Sequence, residues 1–351
     1  MPSRGPPAGD GPAWQTIQCG HSPCAAAAAP VPPGLIVTAV AAFPRRAGSL
    51  ACSVSSDAEL RVWDYRRRRL HTLGSGRPAA VHMGLGGTCC DVAGDGASVA
   101  VGHDNGSVTV WDAGRLECRA QVAGGSSEAV GAVRFCPQSR CLAVAWGDAA
   151  ISLLLLAADG SGASGGPGSG AVARAGPAAR RHSCRVRQMD FSHDGRILRT
   201  CDGTGDVLYW TVAGGDRGRL EAAGEAGRGV RDCVWATETC VVGWDKQGLW
   251  PSGPGRTSMG LVAAVAVTKA GGTMASGGAD GVIWLGRFPA VSGDAQRQEV
   301  RGGHASGVAG LAWSSDDAVL WSVGSGDVAV HQWRHVLVQP VDAGAIRMRA
   351  D

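Results

Sequence analysis

The stretch Val99 to Asp112, VAVGHDNGSVTVWD, holds a complete β-hairpin. A short apolar strand (Val99–Gly102) leads into a polar turn (His103–Gly106), and a second strand of alternating character (Ser107–Trp111) closes on Trp-Asp. Asp104, Asn105 and Gly106 tolerate the left-handed backbone of a tight turn, while the two-residue period of a strand puts Val108 and Val110 on one face. Copies of this unit recur along the chain. Leu50–Asp64 (LACSVSSDAELRVWD) and Ala318–Trp333 (AVLWSVGSGDVAVHQW) match closely, and Leu198–Trp210 and Thr273–Gly286 follow with substitutions. Two copies are worn: Cys141–Leu156 keeps the strands without the terminal tryptophan, and Thr239–Trp250 keeps little beyond Gly243 and Trp250. Seven units begin near Leu35, Ala79, Ala129, Ser183, Gly229, Leu261 and Gly307. Their spacing averages roughly forty to fifty residues.

That period and the Trp-Asp endings resemble the WD40 repeat family, which implies an all-β, seven-bladed β-propeller. A four-stranded blade cannot bury both faces alone, so blades stack radially and close into a ring with only short, protected edges. The resemblance also implies a hydrogen-bonded set in each blade, for which the last unit supplies His304, Ser322, Asp327 and Trp333. Other blades hold incomplete sets and must rely more on packing. Two segments compete to close the ring. Trp14–Cys19 (WQTIQC), followed by Gly20-His21, looks like the outer strand that precedes a unit, and Val336–Gln339 (VLVQ) is its rival; the N-terminal segment is preferred. The expected organisation is a Pro/Gly-rich disordered tail over 1–13, one propeller over 14–340 and a short tail over 341–351. Within the propeller, 159–181 is a flexible insertion that begins with DGSGASGGPGSG.

Composition narrows the function classes. A net charge of +3 lacks the basic excess of a dedicated nucleic-acid binder. With only four Phe and two Tyr, surface for stacking bases is scarce. Twelve cysteines occur without a CxxC pair, so neither a disulfide framework nor a zinc site is expected. The longest largely apolar run, Ala149–Ala158, falls far short of the ~20 residues that span a bilayer, and no membrane contact is expected. Ala25–Ala29 lacks a basic flank and makes a poor signal peptide. There is no GxxxxGK and no HExxH. The GxSxG match at Gly162–Gly166 lies in the Gly/Ser-rich segment, without the strand and helix that would make Ser164 a nucleophile. The expectation is a chain without enzymatic activity or cofactor.

The second half carries a narrower resemblance. Leu208-Tyr209-Trp210 ends one unit, Trp235-Ala236-Thr237-Glu238-Thr239-Cys240 follows, then Gly248-Leu249-Trp250-Pro251, and the last unit closes on His331-Gln332-Trp333-Arg334. The order of these blocks is similar to the C-terminal propeller of the echinoderm microtubule-associated protein-like family. The resemblance implies a cytoplasmic, cytoskeletal scaffold that binds tubulin or microtubules. The family's additional propeller with its hydrophobic "HELP" motif, and its N-terminal coiled coil with a basic region, have no counterpart in these residues. A shortened member, or part of a longer one, is expected.

Few residues stand out as contacts. Arg66, Arg67, Arg68 and Arg69 follow Trp63-Asp64-Tyr65 at the exit of a third strand and could hold acidic tails such as those of tubulin, with salt-sensitive affinity. Trp63-Asp64-Tyr65-Arg66 also fits a W-D-x-R pattern that resembles substrate receptors of cullin-RING ubiquitin ligases, the alternative function. Strand tryptophans belong to the core, whereas Trp244 and Trp146, in or beside turns, are expected at the surface. Turn chemistry accounts for His103 with Asp104 and for His193 with Asp194. The arginines Arg180, Arg181, Arg185 and Arg187 form a further basic run with no assigned role.

Overall fold

Alternating apolar strands joined by Asp/Gly turns build most of the described structure. The computed structural model describes residues 16–20, 36–44, 49–138, 141–156, 172–213, 219–222, 230, 232–250, 262–292, 295, 297–326 and 329–335. Six antiparallel sheets follow one another along the chain. The first contains β2 (Val37–Ala42), β3 (Leu50–Ser55) and β4 (Glu59–Asp64), with an outer edge divided between β5 (Arg69–Leu70) and β6 (Ala80–His82). The second runs from β7 (Gly87–Val92) through β8 (Ser98–His103) and β9 (Ser107–Asp112) to β10 (Cys118–Ala123). The third comprises β11 (Ala132–Phe135), β12 (Cys141–Ala145), β13 (Ile151–Leu156) and β14 (Val172–Arg174). The fourth comprises β15 (Val186–Phe191), β16 (Ile197–Asp202), β17 (Val207–Ala213) and β18 (Arg219–Ala222).

After an irregular segment come β19 (Val262–Val267), β20 (Thr273–Gly278), β21 (Ile283–Arg287) and β22 (Arg297–Val300). The last sheet holds β23 (Val308–Trp313), β24 (Val319–Gly324) and β25 (Ala329–Arg334), and β1 (Thr16–Gly20) pairs with β25, setting Thr16 opposite Trp333. The N-terminal strand therefore supplies the outer edge of the last sheet. The first strands of the sheets lie side by side, β2 against β7, β7 against β11, β11 against β15, β19 against β23 and β23 back against β2. This is a β-propeller, with the inner strands around a central channel and the apolar core between adjacent sheets.

The indole-to-hydroxyl bond that pins a blade survives even where its residues have moved. In the first, fourth and last sheets the hydroxyl sits on the second strand: Trp63 Nε1 donates to Ser53 Oγ at 2.7 Å, Trp210 to Thr200 at 2.9 Å and Trp333 to Ser322 at 2.7 Å. A histidine joins two of these hydroxyls, His182 Nε2 at 2.7 Å from Thr200 and His304 Nε2 at 2.7 Å from Ser322. Asp327 lies outside the described residues. In the second sheet Val101 occupies the hydroxyl position. Its ladder partner Thr109 takes over, accepting from Trp111 at 2.8 Å and meeting His103 Nε2 at 2.7 Å. In the third sheet Trp146 leaves the strand end of the second strand and donates to Ser152 at 3.0 Å on the third. The expectation that Trp146 is exposed is thereby corrected: it is 3% exposed, sits among Val133, Leu142 and Val144, and lies beneath the Arg174 guanidinium at 5.1 Å.

The position between β18 and β19 departs from the worn hairpin unit expected at Thr239–Trp250. Among its described residues a single bridge joins Trp235 to Ser192, and a 3-10 helix spans Trp244–Leu249. A buried carboxylate takes the place of a ladder. Asp190, fully buried on β15, accepts from the amides of Thr239 (2.9 Å) and Cys240 (2.9 Å) and from the hydroxyls of Thr237 (2.6 Å) and Thr239 (2.8 Å). Its ladder partner Arg199 donates to it from Nε at 3.1 Å and Nη2 at 2.9 Å, pairs with Glu238, and stacks over Trp235 at 4.3 Å. Glu238 in turn holds the fully buried Lys246 of the 3-10 helix. Gly248 lets that helix press onto the next blade, since a Cβ there would meet Ser292 O at 2.3 Å. Arg134 ties the segment to the neighbouring blades, donating to Asp91 Oδ1 (2.9 Å), Met189 O (2.9 Å) and Thr239 Oγ1 (3.3 Å).

Two measurements follow from these networks. Burial alone would raise the Asp190 carboxyl, but Arg199, then Arg134, Thr237 and the Cys240 amide hold it well below the ordinary carboxylate range. A carboxyl depressed on folding adds stability above its unfolded value, near 4, and loses that contribution as pH falls below it. Asp190→Asn should cost about 3–5 kcal/mol at neutral pH, as expected for breaking a buried pair, and should flatten the loss of stability below that pH in denaturant titrations. Ser152→Ala should leave the Trp146 indole without its acceptor and lower stability by about 1–3 kcal/mol, read from the urea midpoint.

Candidate functional site

The four-arginine hairpin is built by Asp64 at the end of β4. Its Oδ1 accepts from the amides of Arg66 and Arg67, both at 3.1 Å, and from Ser49 Oγ at 2.9 Å. Partial burial pushes the Asp64 carboxyl up, yet these donors, the Arg67 amide foremost, bring it below its usual value. Arg68 then adopts a left-handed backbone (φ 56°), and Arg69 returns as the first residue of β5, opposite Asp64. The hairpin thus projects all four side chains into solvent.

Tyr65 anchors this hairpin to the last blade. It is buried, meets Trp321 edge-on at 6.4 Å, and its carbonyl accepts from Gln332 Nε2 at 3.1 Å. Its hydroxyl is pushed up to about 12 by burial and by a hydrogen bond to Asp316. Asp316, in the turn between β23 and β24, also faces Arg66 Nη2 at 3.4 Å, and Arg67 Nε lies 3.7 Å from Asp64. Both guanidiniums remain largely exposed, at 72% and 66%. Arg68 and Arg69 make no ion pair among the described residues. The cluster therefore presents two engaged and two open cations on the face that carries the turns between first and second strands.

Trp244 opens the 3-10 helix and is 40% exposed, and among the described residues Val234 and Val291 are the other large apolar side chains at the surface. It belongs to the irregular fifth position, whereas Arg66–Arg69 belongs to the first sheet, so the structure does not join them in one site. His304, Ser322 and Trp333 stand within the last blade and serve its packing.

A separate, concave feature is the central channel, a cavity of about 620 Å³ walled by the inner strands of the six described sheets and by 234–239. Its walls are mostly small: Ala39, Ala132, Ala264 and Ala312 on four different strands leave the space open. Reading the sequence missed Asp190, Arg134 and Arg199. The available signal was a charged residue inside an apolar strand, Asp190 after Met189 and Arg199 after Leu198, where a charge needs a buried partner. Among the described residues no group of three or more His, Cys, Asp or Glu is arranged to hold a metal ion, and no helix is long and apolar enough to cross a membrane. The ten described cysteines are free thiols, six of them buried, which makes them core residues rather than a disulfide framework.

Comparison with known proteins places this architecture. A solved structure of RRP9 WD40 repeats superposes with a TM-score of 0.58 at 14% identity, over 87% of this chain and 96% of that one, a likeness of fold. Human echinoderm microtubule-associated protein-like 3 is 29% identical over 280 residues, and its mouse counterpart 30% over 285. Each alignment takes in 79% of this chain and 28% of the relative, so the chain spans under a third of those proteins. The 77 kDa echinoderm microtubule-associated protein of Strongylocentrotus purpuratus is 32% identical over 152 residues, 43% of this chain and 21% of that protein. The family profile described as "Echinoderm microtubule-associated protein second beta-propeller" matches residues 37–335. With nearly the whole described ring inside that match, the chain belongs to the echinoderm microtubule-associated protein family and corresponds to its second propeller.

Proposed function

We propose that this chain is a non-enzymatic protein-interaction scaffold of the cytoplasm and cytoskeleton that contacts tubulin or microtubules. The observation that carries the reading is the match of residues 37–335 to the second propeller of a family whose members are named for microtubule association. The contact assigned to this chain is Arg66–Arg69. Two of these guanidiniums lack an ion-pair partner among the described residues, and the rigid hairpin below them is fixed to the seam between the first and last blades. Acidic tails would meet it through long-range attraction that weakens as salt screens it. Trp244 is a second, separate exposed contact. No observation favours the ligase-receptor alternative: the Arg66 guanidinium is already turned toward Asp316.

The test is co-sedimentation of the purified chain with polymerised microtubules, with soluble tubulin followed on a sizing column, both across a salt series. Salt-sensitive binding is expected. Replacing Arg66–Arg69 together by alanine should weaken it at low salt by roughly tenfold or more, the scale of losing several steering charges. Unchanged binding would remove the arginine hairpin as the contact, and no binding to either form of tubulin would remove the reading.

A further inference from the structure

The inner strands share an irregularity that singles out one residue. In β2, β7, β15, β19 and β23 the register shifts after the first residue, a β-bulge that leaves Thr38, Thr88, Arg187, Ala263 and Ala309 unpaired in the ladder. A bulge re-aims the side chain it carries. In the first two blades the extra residue is a threonine that bonds to the next blade, Thr38 Oγ1 donating to Gly87 O at 2.6 Å and Thr88 Oγ1 to Val130 O at 2.9 Å. In β19 and β23 it is alanine. Only in the fourth among these five is it a cation, Arg187, which is exposed and lines the central channel.

We propose that this mouth of the channel recognises a carboxylate carried on an extended acidic peptide of a partner protein, with Arg187 as the charged contact and Arg185 beside it. Arg187 makes no ion pair among the described residues. Arg185 spends one nitrogen on Val130 O at 2.7 Å, while its buried Nε has no hydrogen-bond partner; nor does the neighbouring Gln188 Oε1. Burial and the facing Arg187 charge both lower the Arg185 guanidinium, a repulsion that an anion between them would relieve. Glu128 is the one carboxylate near Arg185 in that balance. The acids deeper in the channel wall are already engaged, Asp91 by Arg134 and Glu238 by Arg199 and Lys246, so they do not neutralise Arg187. Lys269, past the end of β19, puts a further cation at the far end of the lining, its ammonium bonded to Ala236 O at 3.3 Å.

The walls decide what kind of anion enters. Gly131, Ala132, Ala263 and Gly310 keep this part of the lining open and smooth, with room for an extended chain. Low-dielectric walls also focus the field of the arginines. The aromatic residues of the channel lining, Phe43, Phe135, Phe191, Trp235 and Trp313, stand where the inner strands end, away from this mouth, which sets a peptide above a single-stranded nucleic acid here. The site lies where the inner strands begin. Arg66–Arg69 lies where third strands end, so the antiparallel order puts the two basic features on opposite faces of the ring.

The probe is a fluorescein-labelled hexaglutamate peptide, titrated against the whole chain at low salt and followed by anisotropy. Hexaglutamine and an oligouridylate of equal length serve as comparisons. Wild type should bind hexaglutamate and not hexaglutamine. Arg187→Glu should weaken binding by roughly tenfold or more while Arg187→Lys retains most of it, as expected for an electrostatic contact. The alanine replacement of Arg66–Arg69 should keep the peptide affinity, which separates this site from the tubulin contact. Thermal melting of Arg187→Glu should match wild type, because the side chain is exposed. The proposal is overturned by absence of peptide binding, by equal binding in Arg187→Glu, by loss only in the Arg66–Arg69 variant, or by tighter binding of the oligouridylate.

Discussion

A buried carboxylate, Asp190, decides whether the ring can close. A propeller is stable only when every blade has a neighbour on both faces, because an unpaired face leaves apolar side chains and strand edges in water. At the fifth position the described chain offers no ladder to stack against β15. Asp190 supplies an alternative, with its two oxygens receiving the backbone of Thr239 and Cys240 and the hydroxyls of Thr237 and Thr239. Such a group is costly to bury alone, and it is tolerated because Arg199 neutralises it directly. Arg199, Glu238 and Lys246 extend this pairing into the 3-10 helix, so the irregular segment is held by charge where other blades are held by strand pairing.

The regular blades show a different economy. Their tryptophan indoles need an acceptor when buried, and each of five sheets provides a hydroxyl at 2.7–3.0 Å. What is fixed is the pairing of a large apolar ring with one satisfied polar tip at the strand edge. Which strand supplies the hydroxyl is free to change. Ser53, Thr200 and Ser322 stand on second strands, whereas Thr109 and Ser152 stand on third strands, and in the third blade the indole itself comes from the turn. A position-by-position motif scores the second and third blades as degenerate, although each keeps its indole-to-hydroxyl bond.

Charge is distributed with the same separation of roles. The buried Arg199 and the half-buried Arg134 have carboxylates within hydrogen-bond distance and act as struts between blades. Surface arginines of the first hairpin are presented on a backbone that Asp64 and Tyr65 hold rigid, which reduces the ordering that a partner must impose. Arg187 lines the channel at the opposite end of the inner strands, with Arg185 beside it bonded to Val130 O. A single propeller of this family therefore carries two differently placed basic features.

Strand periodicity, Asp/Gly turns and Trp-Asp endings were enough, from the sequence by itself, to establish repeated hairpins, a WD40 propeller and the family resemblance of the second half. These signals are local: a strand's face is set every two residues and a turn within four, so neither needs a distant partner. The arginine hairpin was legible for the same reason, as a charge run beside a strand end. The choice of the N-terminal strand to close the last sheet, the burial of Trp146, the non-strand fifth position and the channel location of Arg187 were decided by tertiary structure. Each depends on groups far apart in the chain, such as Arg134 and Thr239 with 105 residues between them, or Gln332 and Tyr65 with 267. No period in the sequence encodes such a pair. Its strength comes from burial and from the partner's position, both of which exist only once the ring has formed.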